Sequence, residues 1–307
     1  MILGVCLGRP PSPVTVAVRD GVPVPAPRAA RGARAVCVAV DLDGAPLAPV
    51  AAIRVGGPCP EVLKPLVGWP EGSGVAAIVR GGHSLTGRPL APLDTEAVRR
   101  FAEGCGLSDF AVTATGSPVL ADHELAVASI VAEAVPGARI TLSYEFGGRG
   151  LREREHDAIL SAALGPHAGR VADEVAGRWP GVPAYFARSG SGLVSAHYFR
   201  RYPLACRAGA TAARDRGTAA GLAGDAAAAF GATAGGPEAQ VERIVRALGR
   251  AELDRALRDA EDEVLTRVVS AGAAPGSARV VETTVNPLSY LPDGLYRVRV
   301  TAEGATP

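Results

Sequence analysis

Short apolar runs of strand length alternate with segments whose apolar residues recur at helical spacing. This alternation constrains the fold of the 307-residue chain more than any other feature. Val50–Val55 and Val75–Val79 read as buried strands, and Phe110–Thr115, Arg139–Leu142 and Ala184–Arg188 as strands. Between them, Thr95–Gly104 reads as a helix with Thr95 as N-cap, and Asp122–Val135 as a helix stopped by Pro136-Gly137. Such alternation predicts an α/β protein. Met1–Leu7 is a further apolar run. Val14–Val18 alternates and meets the turn signal Arg19-Asp20-Gly21, which predicts a hairpin. Pro23–Arg34 reads as a loop, and Ala35–Val40 as a strand ending in a turn over Asp41–Gly44. Farther along, Glu153–Leu164 and His167–Trp179 read as successive helices, and Ser189–Gly192 as a tight loop. Residues 205–236 are rich in Ala, Gly and Thr and show no clear period. Glu238–Ala271 reads as one or two amphipathic helices, and Arg279–Val285 and Leu295–Thr301 as closing strands.

Composition excludes several classes. No apolar run reaches the roughly 20 residues that a membrane span needs, and the opening MILGVCLGRPPS lacks the basic start of a signal peptide. The formal net charge is +1 and the basic residues are scattered, so no nucleic-acid footprint is expected. The five cysteines form no C-x-x-C pair, which argues against a disulfide framework or a cysteine zinc site and for a reducing cytoplasm.

Four stretches carry a family resemblance: VRGGHSLTGRPLAPLD (Val79–Asp94), FAVTATGSPVLADHE (Phe110–Glu124), GARITLSYEFGGRGLREREHDAILSAAL (Gly137–Leu164) and RYPLACRAGATAARDRGTAAGL (Arg201–Leu222). In that order and spacing they resemble the A subunit of the hydantoinase/5-oxoprolinase family. The resemblance implies an actin-like ATPase (ribonuclease H-like) fold of two lobes and ATP-driven opening of cyclic amides. It divides the chain into a first lobe over residues 1–200 and a shortened second lobe over 201–307.

The chain departs from the family at the phosphate loops. Backbone N–H groups approach phosphate only where side chains are absent, and a carboxylate positions Mg²⁺ or water. Against the family's G-V-D-x-G-G-T stands Gly4-Val5-Cys6-Leu7-Gly8-Arg9-Pro10. Cys6 replaces the aspartate, Arg9 a glycine, and Pro10 the threonine. At the second hairpin, Ala208-Gly209-Ala210 stands for the turn and Ala229-Phe230-Gly231-Ala232-Thr233-Ala234 for D-x-G-G-T-T, again without the carboxylate. No nucleotide is therefore expected at Gly4, Cys6, Gly8, Gly209 and Gly231, and ATP is not an expected cofactor.

The resemblance also makes His83 and His123, with Asp41 or Glu124 as oxygen donor, a candidate site for zinc or manganese; Asp43 and Asp122 are further oxygens. Arg152-Glu153-Arg154-Glu155-His156 matches the family's L-E-R-E-N block. Glu153, Glu155 and His156 are thus catalytic candidates, or else a helix N-terminus with its ion pairs. Ser189–Gly192 does not form G-x-S-x-G, so a serine-hydrolase triad is not expected. Three readings remain open: an accessory hydantoinase-like subunit pairing with a B-type subunit or a second copy, a working enzyme on a small cyclic amide or carboxylate, and a small-molecule binding or scaffold protein.

Overall fold

A computed structural model describes residues 1–7, 13–24, 32–147, 150–289, 291 and 294–306. In chain order the elements are β1 (Ile2–Cys6), β2 (Val14–Arg19), β3 (Val22–Val24), β4 (Ala35–Ala39), β5 (Val50–Val55), β6 (Gly74–Val79), α1 (Thr95–Gly104), β7 (Asp109–Ala114), α2 (Asp122–Ala134), β8 (Arg139–Leu142) and α3 (Leu151–Arg178). They continue with β9 (Ala184–Ala187), β10 (Leu193–Ser195), α4 (Ala196–Arg201), α5 (Gly209–Ala219), α6 (Gly224–Ala232), β11 (Glu238–Arg246), α7 (Arg250–Ser270), β12 (Arg279–Pro287) and β13 (Leu295–Glu303). The α/β class follows the sequence pattern.

The strands form three sheets. The first has the order β10-β9-β4-β1-β2-β3, with β1, β4 and β9 parallel and β2, β3 and β10 antiparallel to their neighbours. The second, β6-β5-β7-β8, is parallel throughout. The third, β11-β13-β12, is antiparallel. Parallel strands need cover on both faces, and the helices supply it. Leu164, Ala168 and Val175 of α3, Trp179 just past its end and Phe199 of α4 pack on one face of the first sheet, where Phe199 stacks on Phe186 with centroids 3.9 Å apart. The alanines of α5 and α6 cover the other face. Helices α1 and α2 cover the second sheet on one side. Its other side receives Ala158, Ile159, Ala162 and Ala163 of α3. Helix α3 thus serves two sheets, its first half the second and its later half the first. The third sheet rests on Val264 and Val268 of α7.

Three expectations change. The two helices expected around Gly165-Pro166 are one, because residues on either side of Pro166 are buried against sheets. Glu238–Arg246 is a strand, with Ala239 and Val241 turned inward between half-exposed polar residues. Asp94, not Thr95, caps α1, its Oδ1 accepting the Ala97 N–H at 3.1 Å. Among the described residues no helix is long and apolar enough to cross a membrane.

Candidate functional site

Open parallel sheets place ligands beyond the carboxyl ends of their strands. Two such edges gather polar groups here.

At the first sheet, Cys6 ends β1 and is buried. Burial, then the neighbouring Asp225 carboxylate, pushes its thiol up to about 11, so the sulfur is uncharged at neutral pH. The glycines of the expected phosphate loops are engaged in packing. A side chain at Gly4 would overlap the Ala229 carbonyl of α6, one at Gly209 the Ala187 carbonyl of β9, and one at Gly231 the Ala213 carbonyl of α5. Ala229–Ala232 lies within α6, so this stretch forms no second hairpin. Gly8, Arg9 and Pro10 lie outside the described residues. Asp41, just beyond β4, accepts the Ala210 and Thr211 N–H groups at 3.0 and 3.1 Å and the Thr211 hydroxyl at 3.1 Å. It thereby satisfies the orphan donors that begin α5.

From this edge a cleft of about 620 Å³ opens toward the third sheet. Arg188, Arg207, Arg297 and Arg299 line it opposite Glu145, Asp157 and Glu242. The charges are largely matched. Glu242 accepts from Arg297 at 2.7 Å and Arg299 at 3.2 Å, and Arg207 donates to Asp43 at 2.8 Å. Arg188 donates to the Glu238 carbonyl at 3.0 Å. Burial raises the phenols of Tyr198 and Tyr202, which face the same cleft. A smaller cavity of about 280 Å³ shares Glu145 and Glu242 with it and reaches Asp122 at the start of α2.

At the second sheet, β5, β6 and β7 end in glycine turns. Gly81, Gly82 and Gly116 have φ values of +154°, +93° and +80°, and side chains at Gly81 and Gly116 would overlap Val55 and the His83 carbonyl. These turns bring His83 and His123 together, with ring centroids 4.2 Å apart and planes tilted by 39°. The Gly82 N–H donates to His123 Nδ1 at 2.8 Å, which fixes the uncharged ring with its proton on Nε2. Burial, then repulsion from His83, holds the His123 pKa below its ordinary value. His83 Nδ1 is buried without a partner among the described residues.

The other proposed ligands are engaged in the fold. Glu124 is fully buried; its carboxylate accepts from the Ala114 N–H at 2.9 Å, the Ser143 hydroxyl at 2.6 Å and the Tyr144 N–H at 3.1 Å. Burial raises its pKa while these bonds lower it. Asp41 belongs to the first sheet's edge. Among the described residues no three His, Cys, Asp or Glu side chains group closely enough to hold a metal ion. Two imidazoles fall short of the three protein ligands of a catalytic zinc site, so the donor set does not fit.

The three catalytic candidates on α3 diverge. Glu155 is buried and accepts from two of the three Arg54 guanidinium nitrogens, Nε and Nη2, with Nε–Oε1 at 2.7 Å, and from Arg152 at 3.2 Å. Glu153 is exposed, and His156 is exposed against Trp69, with centroids 5.0 Å apart. Their neighbour Asp157 lines the cleft instead. Sequence reasoning missed Arg54, although a lone arginine inside the apolar run VAAIRV signals a buried counter-ion. It also missed Glu145, which meets Arg267 of α7 at 2.5 Å, and Tyr198 of α4 and Tyr202 just past its end, which α4 brings to the cleft.

No family model matches the sequence, and none of the curated proteins does. Solved structures do. An ATP-dependent caprolactamase from Pseudomonas jessenii superposes with a TM-score of 0.51 at 15% identity, covering 61% of this chain and 31% of that one. A nucleotide-free acetone carboxylase superposes with a TM-score of 0.53 at 12% identity, covering 99% of this chain and 48% of that one. The chain spans less than half the length of either. At such identity the likeness is one of fold.

Proposed function

We propose that this chain is a hydantoinase/oxoprolinase-type protein with a reduced actin-like, two-lobed architecture that serves as a non-catalytic or accessory subunit. Residues 1–200 would form the first lobe and 201–307 the second. The single observation that carries the reading is the use of Gly4, Gly209 and Gly231 as close-packing points for α5 and α6, with an uncharged Cys6 thiol between them. Backbone so covered presents no cradle for phosphate, and no carboxylate ends β1 to position Mg²⁺. The likeness in fold to two enzymes of ATP-dependent chemistry supports the family assignment. The partner in this reading is a B-type subunit or a second copy, in a reducing cytoplasm where the five free cysteines persist. Calorimetry with MgATP tests it. The expected result is no binding tighter than about 1 mM, which is about −4 kcal/mol; micromolar affinity would overturn the proposal.

A second reading, an amide-bond enzyme on a small cyclic amide or carboxylate, is favoured by the orphaned His83 Nδ1 beside His123. Zinc or manganese there requires a ligand beyond the described residues or from the partner. Zinc or manganese binding that disappears in His83→Ala would support that reading; no heat on titration of either ion would remove it.

A further inference from the structure

The second sheet's opposite edge carries a site of different character. Strands β7 and β8 begin at Asp109 and Arg139. Between these starts, the middle of α3 and helix α4 lies a cavity of about 430 Å³, within the roughly 300–1,000 Å³ of small-molecule pockets. Ala138, Ile140 and Ala162 give it apolar walls. Its charged groups are Arg139, Arg200, Arg201 and Asp109, with His197 beside them. Three guanidinium groups stand against Asp109 and against Asp173, which pairs with Arg200 from outside the cavity wall, so one positive charge is left over at neutral pH.

These cations differ in how far they are engaged. Arg139 holds Asp109 through two bonds of 2.6 and 2.5 Å. Arg200 donates to Asp173 at 2.7 Å and to the Gly169 carbonyl at 3.2 Å. Arg201 lies over the Tyr202 ring, 5.4 Å from its centroid, and has no carboxylate partner among the described residues. The second observation is Ser161 of α3. It lines the cavity, is fully buried, and its hydroxyl has no hydrogen-bond partner among the described residues. A buried hydroxyl left unpaired costs free energy that a ligand oxygen would recover.

We propose that this cavity binds a small organic acid, its carboxylate accepting from Ser161 and facing Arg200 and Arg201, its apolar body against Ala138, Ile140 and Ala162. Inorganic phosphate would use the cations and leave the apolar walls unmatched. A guanidinium in this setting gives charge-assisted bonds stronger than neutral ones. The apolar walls add affinity in proportion to the area they remove from water.

Calorimetry of the full chain with benzoate, benzamide and inorganic phosphate tests the assignment. Benzoate should bind, and its neutral isostere benzamide should bind at least about tenfold more weakly. Arg201→Gln, at an exposed position, should weaken benzoate about tenfold, and Ser161→Ala should weaken it without changing the unfolding midpoint by more than a few degrees. Phosphate should not displace benzoate. Absence of benzoate binding up to about 10 mM, equal binding in both variants, or displacement by phosphate at the same concentration would each overturn the proposal. So would tighter binding of a glutamate-rich peptide, which would make the cavity a protein-docking site.

Discussion

Two carboxyl-end edges of parallel strands use glycine for opposite purposes. At the first sheet Gly4, Gly209 and Gly231 let helix backbone touch strand or helix backbone, and the space above β1 is filled by the alanine face of α6. At the second sheet Gly81, Gly82 and Gly116 take positive φ, turning the chain so that one N–H meets a histidine and two rings approach each other. Residue type alone does not distinguish these uses. A glycine that opens backbone to a ligand and one that admits a neighbouring helix look the same in a motif, and what stands opposite decides between them.

The largest expected contrast lies in the carboxylates. Glu124 supports the second edge from within, while Asp41 caps a helix near the surface. Glu124→Leu leaves the Ala114 and Tyr144 N–H groups and the Ser143 hydroxyl without that acceptor and removes the negative charge near the buried Arg154. It should cost on the order of 3–5 kcal/mol in urea unfolding. A loss below about 1 kcal/mol would mean that the fold does not need these oxygens, and would return Glu124 to the ligand candidates. Next in size is Gly4→Ala, which forces α6 off β1 and should cost about 1–3 kcal/mol. Gly57→Ala, where an added methyl meets nothing within 4 Å, should stay within about 0.5 kcal/mol. Equal effects at the two glycines would refute the packing role of Gly4. Asp41→Ala should cost about 1 kcal/mol, the usual worth of a helix cap, read from the same unfolding curves.

Much of this arrangement was legible in the sequence and some was not, for physical reasons. Val50–Val55 and Val75–Val79 read as buried strands because a strand covered on both faces shows no alternation; the first is fully buried, whereas the second lies at the edge of its sheet with Val75 and Ala76 exposed. The pairing of His83 with His123 was expected from the family resemblance; the engagement of Glu124 was not, since Ser143 and Tyr144 arrive from beyond β8. Pro166 reads as a stop, yet burial of Leu164 and Ala168 on either side carries the helix through it. The stretch at residues 205–236 lacks an apolar period because its helices meet through glycine. A side chain at Gly217 would overlap the Ala227 carbonyl, so closeness rather than apolar bulk makes that contact. Glu238–Arg246 was drawn into the helical reading by the charges it shares with α7, although its first residues alternate as an edge strand should.

The smallest expected effect tests whether the histidine edge is as dry as its geometry implies. Burial and the nearby His83 hold His123 below its ordinary value of 6.5, with Asp122 opposing weakly. As pH falls through about 6.5, the unfolded chain therefore takes up a proton that the folded chain refuses. The unfolded state then binds more protons, so stability rises with pH in this window and is lost on going down from it, until the folded ring also protonates. His167, lowered by burial and by Arg170, acts in the same sense, so the comparison is made in a His167→Gln background. Between about pH 7.5 and about pH 5.5 that reference should lose urea midpoint, and adding His123→Gln should flatten the slope. Parallel slopes would show that His123 protonates as readily in the folded protein as in the unfolded chain. The second edge would then be wetted, and the contrast with the helix-filled first edge would rest on its glycines alone.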